Sequence, residues 1–113
     1  MQQENKNRNL KVGDQIHQEL AVLINTQLKD PSLNNKIITI NELVLTHDLS
    51  YARIYVTEIT GDESIIKPLN HAKGFLKYHI SKKMKLRIMP ELEFIYDDIP
   101  EKSQKIDELL SKL

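Results

Sequence analysis

Four histidines, His17, His47, His71 and His79, and one adjacent acidic pair, Asp97-Asp98, are the side chains in this sequence whose types could carry acid–base or metal chemistry. A helical metal site needs imidazoles at i and i+4 on one face, and no two of these histidines have that spacing. His71 and His79 belong to helical segments on either side of an interruption, so they do not face one ion. His47 reads as a turn residue and His71 as an exposed or partner-facing ring. Consecutive residues of a strand point to opposite faces, so Asp97 and Asp98 do not converge as a metal clamp; turn capping is their ordinary use. The absence of cysteine excludes disulfides, thiolate nucleophiles and thiolate metal sites together. No Walker loop, nucleophile elbow or glycine-rich dinucleotide motif occurs. These residues point to no catalytic centre, no metal and no other cofactor.

The chemistry that remains is electrostatic. The chain balances 16 Lys and Arg against 16 Asp and Glu, yet from Ile65 to Pro90 there is no acidic residue, while Lys67, Lys73, Lys77, Lys82, Lys83, Lys85 and Arg87 all fall there. The rest of the chain is correspondingly acidic. Such segregation creates a local positive field on a neutral molecule and points to a polyanionic partner. From charge alone, a solvated helix face accounts for the run equally well. Within it, Ala72-Lys73-Gly74 interrupts a helical pattern. Glycine inside a helix costs about 1 kcal/mol relative to alanine, so it marks a bend, a cap or a close backbone approach.

The elements that position these residues follow from periodicity. Leu10, Val12, Ile16, Leu20, Leu23, Ile24 and Leu28 recur at helical spacing and predict a long helix from Asn9 to Leu28, stopped by Pro31. Lys36 to Thr46 and the alternating Ser50 to Thr60, with Ala52, Ile54 and Val56 on one face, predict two strands joined as an antiparallel hairpin. Tyr51 and Tyr55 share one face of the second strand, as packing or as sheet surface. Ser64 is expected to cap a short helix reaching Ala72, with Pro68 awkward beyond its first turn. Gly74 interrupts that helix. A second helix from Phe75 to Leu86 then places Leu76, Ile80 and Met84 on an inner stripe and Tyr78, Ser81, Lys82 and Lys85 outside it, ending at Met89-Pro90. Glu91 to Asp97 reads as a third strand. Ser103 to Leu113 offers a last helix with Ile106, Leu109, Leu110 and Leu113 as its stripe.

With 113 residues these elements make one domain, residues 9–113, after a flexible N-terminus, residues 1–8. No window approaches the roughly 20 apolar residues of a membrane span, and MQQENKNRN lacks the apolar core of a signal peptide. A soluble cytoplasmic protein is expected. Two strands, two consecutive helices and a third strand form an α+β sandwich with helices on one face of a small sheet. That order resembles the type II K-homology (KH) domain, in which two helices joined by a glycine turn clamp single-stranded nucleic acid. The usual turn reads GXXG, whereas this chain carries the shorter interruption Ala72-Lys73-Gly74.

The flanking segments make the resemblance more specific. Leu28-Lys29-Asp30-Pro31-Ser32-Leu33 is similar to the DPRL segment of the ribosome-binding factor A family, and Leu45 to Thr57 (LTHDLSYARIYVT) resembles its VSPDLSYAKVYVS strand pair. Ala72-Lys73-Gly74-Phe75-Leu76-Lys77 matches its AxG kink. Leu86 to Phe94 (LRIMPELEF), followed by Asp97, resembles LRxxPELxFxxD, the most distinctive block. The likeness runs from about Arg8 to Leu110. Ser32 and Lys77 stand where the family often has arginine, and lysine lacks the planar fork that grips phosphate with two hydrogen bonds. The chain also lacks the longer tail of some relatives.

The resemblance implies a binding role without catalysis: a monomeric, cytoplasmic factor of ribosome biogenesis. Its implied partners are 16S rRNA on the free 30S subunit, late in processing and folding, and assembly GTPases, in a setting of cold adaptation. Lys73, Lys77, Lys82, Lys83 and Lys85 would neutralise phosphates, Gly74 with Ala72 would admit a strand at the kink, and Tyr78 would stack a base or sugar. Arg87 would extend the patch or satisfy the helix end. The alternative is a protein-interaction α+β domain that does not bind RNA. Salt separates the two, because counterion release makes RNA affinity fall steeply with ionic strength.

Overall fold

The computed structural model describes residues 2–98, with side chains from Lys11 onward; the helix expected over Ser103 to Leu113 lies outside the described residues. Helix α1, Gln2–Thr26, starts ahead of the expected Asn9, through residues 2–9, which are polar throughout and so leave no apolar periodicity to mark it. Its Ile16, Leu20, Leu23 and Ile24 repeat at helical spacing and are buried, which turns one stripe of α1 onto the sheet. The stop comes at Asp30, whose carboxylate accepts the Ser32 N–H at 2.9 Å and caps a single 3-10 turn, Pro31–Leu33.

Strands β1, Ile38–Leu45, and β2, Tyr51–Glu58, pair antiparallel, and β3, Glu91–Tyr96, pairs parallel to β2. The sheet order is therefore β1-β2-β3, with β2 in the centre. Register shifts between Ile40 and Glu42, where Asn41 forms a bulge and sends its amide to the Asp97 carboxylate at 3.0 Å. Along β2 the alternation has physical content: Ala52, Ile54 and Val56 are fully buried beneath the helices, while Arg53 between them is exposed. Tyr51 and Tyr55 lie half-buried on the opposite face. The hairpin turn is held by Asp48. Its carboxylate accepts the Ser50 N–H at 3.1 Å, the Ser50 hydroxyl at 2.6 Å and the Thr46 hydroxyl at 2.9 Å. These bonds, the Ser50 hydroxyl's first, lower the Asp48 carboxyl from 3.8 to about 2. Leu49 completes the turn in the left-handed region, at φ 63°.

The connection from β2 to β3 departs from the expected boundaries at three points. Asp62, not Ser64, is the N-cap: its carboxylate accepts the Ser64 N–H at 3.0 Å and starts a 3-10 turn, Glu63–Ile65, that runs into α2, Ile66–His71. Pro68 then sits third in α2, at the point where the 3-10 turn has just passed into α-helix. The break between helices falls at Ala72 (φ −86°, ψ 6°), which ends α2 and precedes α3, Lys73–Met84. Gly74 thus lies inside α3 and does not interrupt it; a Cβ built there meets nothing within 4 Å. Finally, α3 ends at Met84, several residues before Met89-Pro90, because Lys85 turns left-handed (φ 51°, ψ 43°). That reversal brings Leu86 and Met89 back against the core.

Two consequences are measurable. The Asp48 carboxyl is depressed in the fold, so its contribution is present above its ordinary value and lost as pH falls toward about 2. Asp48→Asn therefore lowers the melting temperature at neutral pH, and its gap to wild type narrows on acidification from about pH 4 to about pH 2. A gap independent of pH in that window would assign the turn's stability elsewhere. Gly74→Ala gains about 1 kcal/mol of helix propensity without a steric conflict, so thermal melting rises by about 4 °C. A lower melting temperature would contradict the helical placement of Gly74.

Candidate nucleic-acid interface

Helix α3 is divided along its length. Leu76 and Ile80 are completely buried, and Met84 packs partly on the same core. Off this stripe the cations are partly or fully exposed, but they are not equivalent. Lys77 Nζ lies 2.5 Å from Glu91 Oε1, and this bond, reinforced by the Lys77 and Lys73 charges, holds the Glu91 carboxyl below its usual range. Lys83 Nζ lies 3.0 Å from Glu19 Oε2 on α1. Lys82 instead crosses the Tyr78 ring, 4.5 Å from its centroid. Lys73, Lys82, Lys85 and Arg87 enter no ion pair among the described residues, and Lys82, Lys85 and Arg87 are exposed. The left-handed cap at Lys85 ends the helix and carries its ammonium and Arg87 off the end of α3.

The predicted set is therefore partly brought together. Lys73, Gly74, Lys77, Tyr78, Lys82 and Lys83 are all on α3, with Ala72 as its N-terminal flank and Lys85 as its C-terminal cap. Gly74 is exposed and open on the side where a β-carbon would project. Two residues that charge and glycine patterns pass over join this face. Phe75 and His79 meet as tilted rings, centroids 4.4 Å apart at 54°, and Tyr78 meets His79 edge-on at 5.5 Å and 88°. Phe75 remains 39% exposed and Tyr78 54%, so these rings do not form a core. Their spacing with Lys82 is i, i+3, i+4, i+7, a helical-face signal present in the sequence but hidden when only the cations are counted.

Ring faces and unpaired ammonium groups on one convex helix can stack bases and neutralise phosphates. Among the described residues no three His, Cys, Asp or Glu side chains are grouped so as to hold a metal ion. His17 donates its Nε2–H to the Ile40 carbonyl, 3.1 Å away, and so fastens α1 to β1. Asp97 is buried against the Asn41 amide at the end of β3. Among the described residues no helix is long and apolar enough to cross a membrane.

Comparison with known proteins agrees in sequence and in shape. The profile of the family described as Ribosome-binding factor A matches residues 8–110. A ribosome-binding factor A of Nitrosomonas europaea is 36% identical over 108 residues, spanning 93% of this chain and 91% of the relative. The crystal structure of ribosome-binding factor A from Thermus thermophilus superposes with a TM-score of 0.67 at 26% identity, covering 77% of this chain and 93% of that one. Coordinates of the T. thermophilus factor fitted into a cryo-EM map of its complex with the 30S subunit give 0.65 at 26% identity, covering 78% and 93%. The helix order, the three-stranded sheet and the sequence blocks on either side of α3 thus have one common source, and the chain belongs to the ribosome-binding factor A family.

Proposed function

We propose that this protein binds the free 30S subunit late in its assembly, contacts 16S rRNA through the outer face of α3 and the α2–α3 junction, and helps that RNA complete its maturation. The observation that carries the proposal is the outer face itself: unpaired Lys73, Lys82, Lys85 and Arg87 on and beside a helix that also displays Phe75 and Tyr78. Family membership supports it, and the T. thermophilus relative is described in complex with a 30S subunit. The role is one of binding, without catalysis or cofactor, by a cytoplasmic monomer, with assembly GTPases as further partners.

The break at Ala72 gives this reading its geometry. In a type II KH domain two helices meet at a glycine turn against which a single strand lies. Here the turn is a single residue, Ala72, and the AxG glycine follows it as the second residue of α3. Gly74 is then a place where backbone meets RNA without an intervening side chain, a role compatible with helical dihedrals. Lys77 and Lys83 would exchange Glu91 and Glu19 for phosphate oxygens on binding; exposed pairs of this kind contribute little to the free protein and so resist little.

Replacing the three unpaired lysines is the direct test. Lys73→Glu/Lys82→Glu/Lys85→Glu leaves both ion pairs intact, so the far-UV circular dichroism and melting temperature stay close to wild type. Co-sedimentation with free 30S subunits at low salt should be lost, and the residual affinity should depend less steeply on salt than that of wild type, with a slope reduced by roughly three. Undiminished co-sedimentation would remove the basic face from the mechanism. Gly74→Val supplies the steric test, since the space around it lets the fold survive while bulk blocks the strand. Wild-type 30S affinity in a folded valine variant would leave the junction outside the contact.

A further inference from the structure

Between α1 and α3 the surface is cut by a groove whose rim shares Lys82 and Lys83 with the cationic face of α3. One stretch, of about 310 Å³, lies among Val22, Gln27, His79 and Lys82. A second, of about 340 Å³, runs from Gln27 past Phe75 to Lys29. Gln27 lines both, and the contacting Phe75 and His79 rings, tilted at 54°, bridge them. The wall is apolar and open to water: Val22 is 53% exposed and Phe75 39%. Gln27 is exposed, and its side-chain amide makes no hydrogen bond among the described residues.

Charge selects among possible occupants. The two carboxylates that line the groove are already engaged, Glu19 by Lys83 at 3.0 Å and Asp30 by the Ser32 N–H and hydroxyl at 2.9 and 2.6 Å. Asp30 keeps its negative charge beside Lys29, and Glu19 is matched by Lys83, so Lys82 is left as a single positive excess at the rim. An apolar protein helix laid here would cover that ammonium group without neutralising it. A single RNA strand offers what the groove lacks: flat faces for the rings, base edges for an amide that can both donate and accept, and phosphates for the rim. A duplex offers the phosphates but keeps its bases stacked inside.

We infer that the α1–α3 groove receives unstacked nucleobases of a single RNA strand, with Phe75 and His79 as the stacking surface and Gln27 as the edge-reading group. The inference rests on the RNA-binding reading above and adds to it a base-binding site beside the phosphate contacts, with Lys82 and Lys83 at the edge of both. It places the strand on both sides of α3, with backbone over the cations and bases turned toward α1.

The test compares three fluorescent probes by anisotropy: a mixed-sequence single-stranded RNA, the same chain with internal abasic positions, and an RNA duplex. For Phe75→Leu/His79→Leu the affinity for the single strand should fall roughly tenfold, the loss expected for one base–aromatic stack. Affinity for the abasic chain and the salt slope should stay at wild-type values, since no charge on the phosphate path has changed. Gln27→Ala, at an exposed position, repeats the experiment without touching a ring and should weaken only the single strand. An undiminished single-strand affinity in both variants, or an equal loss on the abasic chain, overturns the inference and leaves the phosphate contacts standing. Unchanged RNA affinity with lost 30S co-sedimentation would give the groove to a subunit protein and also overturns it. A wild-type protein that binds none of the probes and no free 30S subunit defeats the RNA-binding reading itself, and the groove assignment with it.

Discussion

A three-stranded sheet with one dry face constrains everything else in this molecule. Because β2 is central and pairs on both sides, its inward row of Ala52, Ile54 and Val56 can be buried only if every helix packs on that same side. A parallel β2–β3 pair needs a crossover, and α2 and α3 supply it. With α1 already lying over β1, α3 has to come alongside α1. The juxtaposition fixes the orientation of α3: Leu76 and Ile80 inward, Lys83 against Glu19 on α1, and the remaining cations and rings outward. The basic face is thus a by-product of where the core permits α3 to lie.

The same inward row explains the polar joint at its end. The next position is Glu58, which is 4% exposed, and a buried carboxylate must be fully hydrogen-bonded. It accepts the Thr60 N–H and hydroxyl and the Asp62 N–H, and the Thr60 hydroxyl above all keeps its carboxyl below the usual range. Satisfying Glu58 folds the chain back on itself through Gly61, at φ 85°, and presents Asp62 to Lys36 at 2.5 Å and to the Ser64 N–H. One carboxylate therefore ends β2, and the next one starts α2 while anchoring the entry to β1.

Much of this was legible in the sequence, for identifiable reasons. Helical and alternating spacings locate α1, β1, β2, α3 and β3 because burial on one side leaves a periodic record. The three misplaced boundaries share a different cause. Asp62 and Ser64 are both good caps, and only the Glu58 turn decides between them. Gly74 has the strongest breaking propensity in its segment, yet Ala72 takes the break, because packing α2 against β3 and α3 against α1 sets where the axis must change. Lys85 in left-handed conformation costs about 1 kcal/mol, against propensity, and leaves no sequence signal. The phosphate-facing candidates were readable as a charge run, whereas the pairing of Lys77 and Lys83 with Glu91 and Glu19 joins residues distant in sequence and was not. Phe75 and His79 were readable as a helical face only once α1 was known to leave that face open.

Those two ion pairs also bear on how a factor of this kind can leave its partner. Under the RNA-binding reading, each phosphate that meets Lys77 or Lys83 displaces an internal carboxylate, so the gain is the difference between two ionic contacts and not one contact's full strength. Lys73, Lys82, Lys85 and Arg87 have no such competitor and supply the net attraction. Glu91 and Glu19 meanwhile keep two lysines positioned in the free protein and stand ready to take them back. A neutral molecule with a paired and an unpaired set of cations can then bind a polyanion with a limited number of effective contacts. On that reading, the limit makes the complex readily reversible by competing contacts.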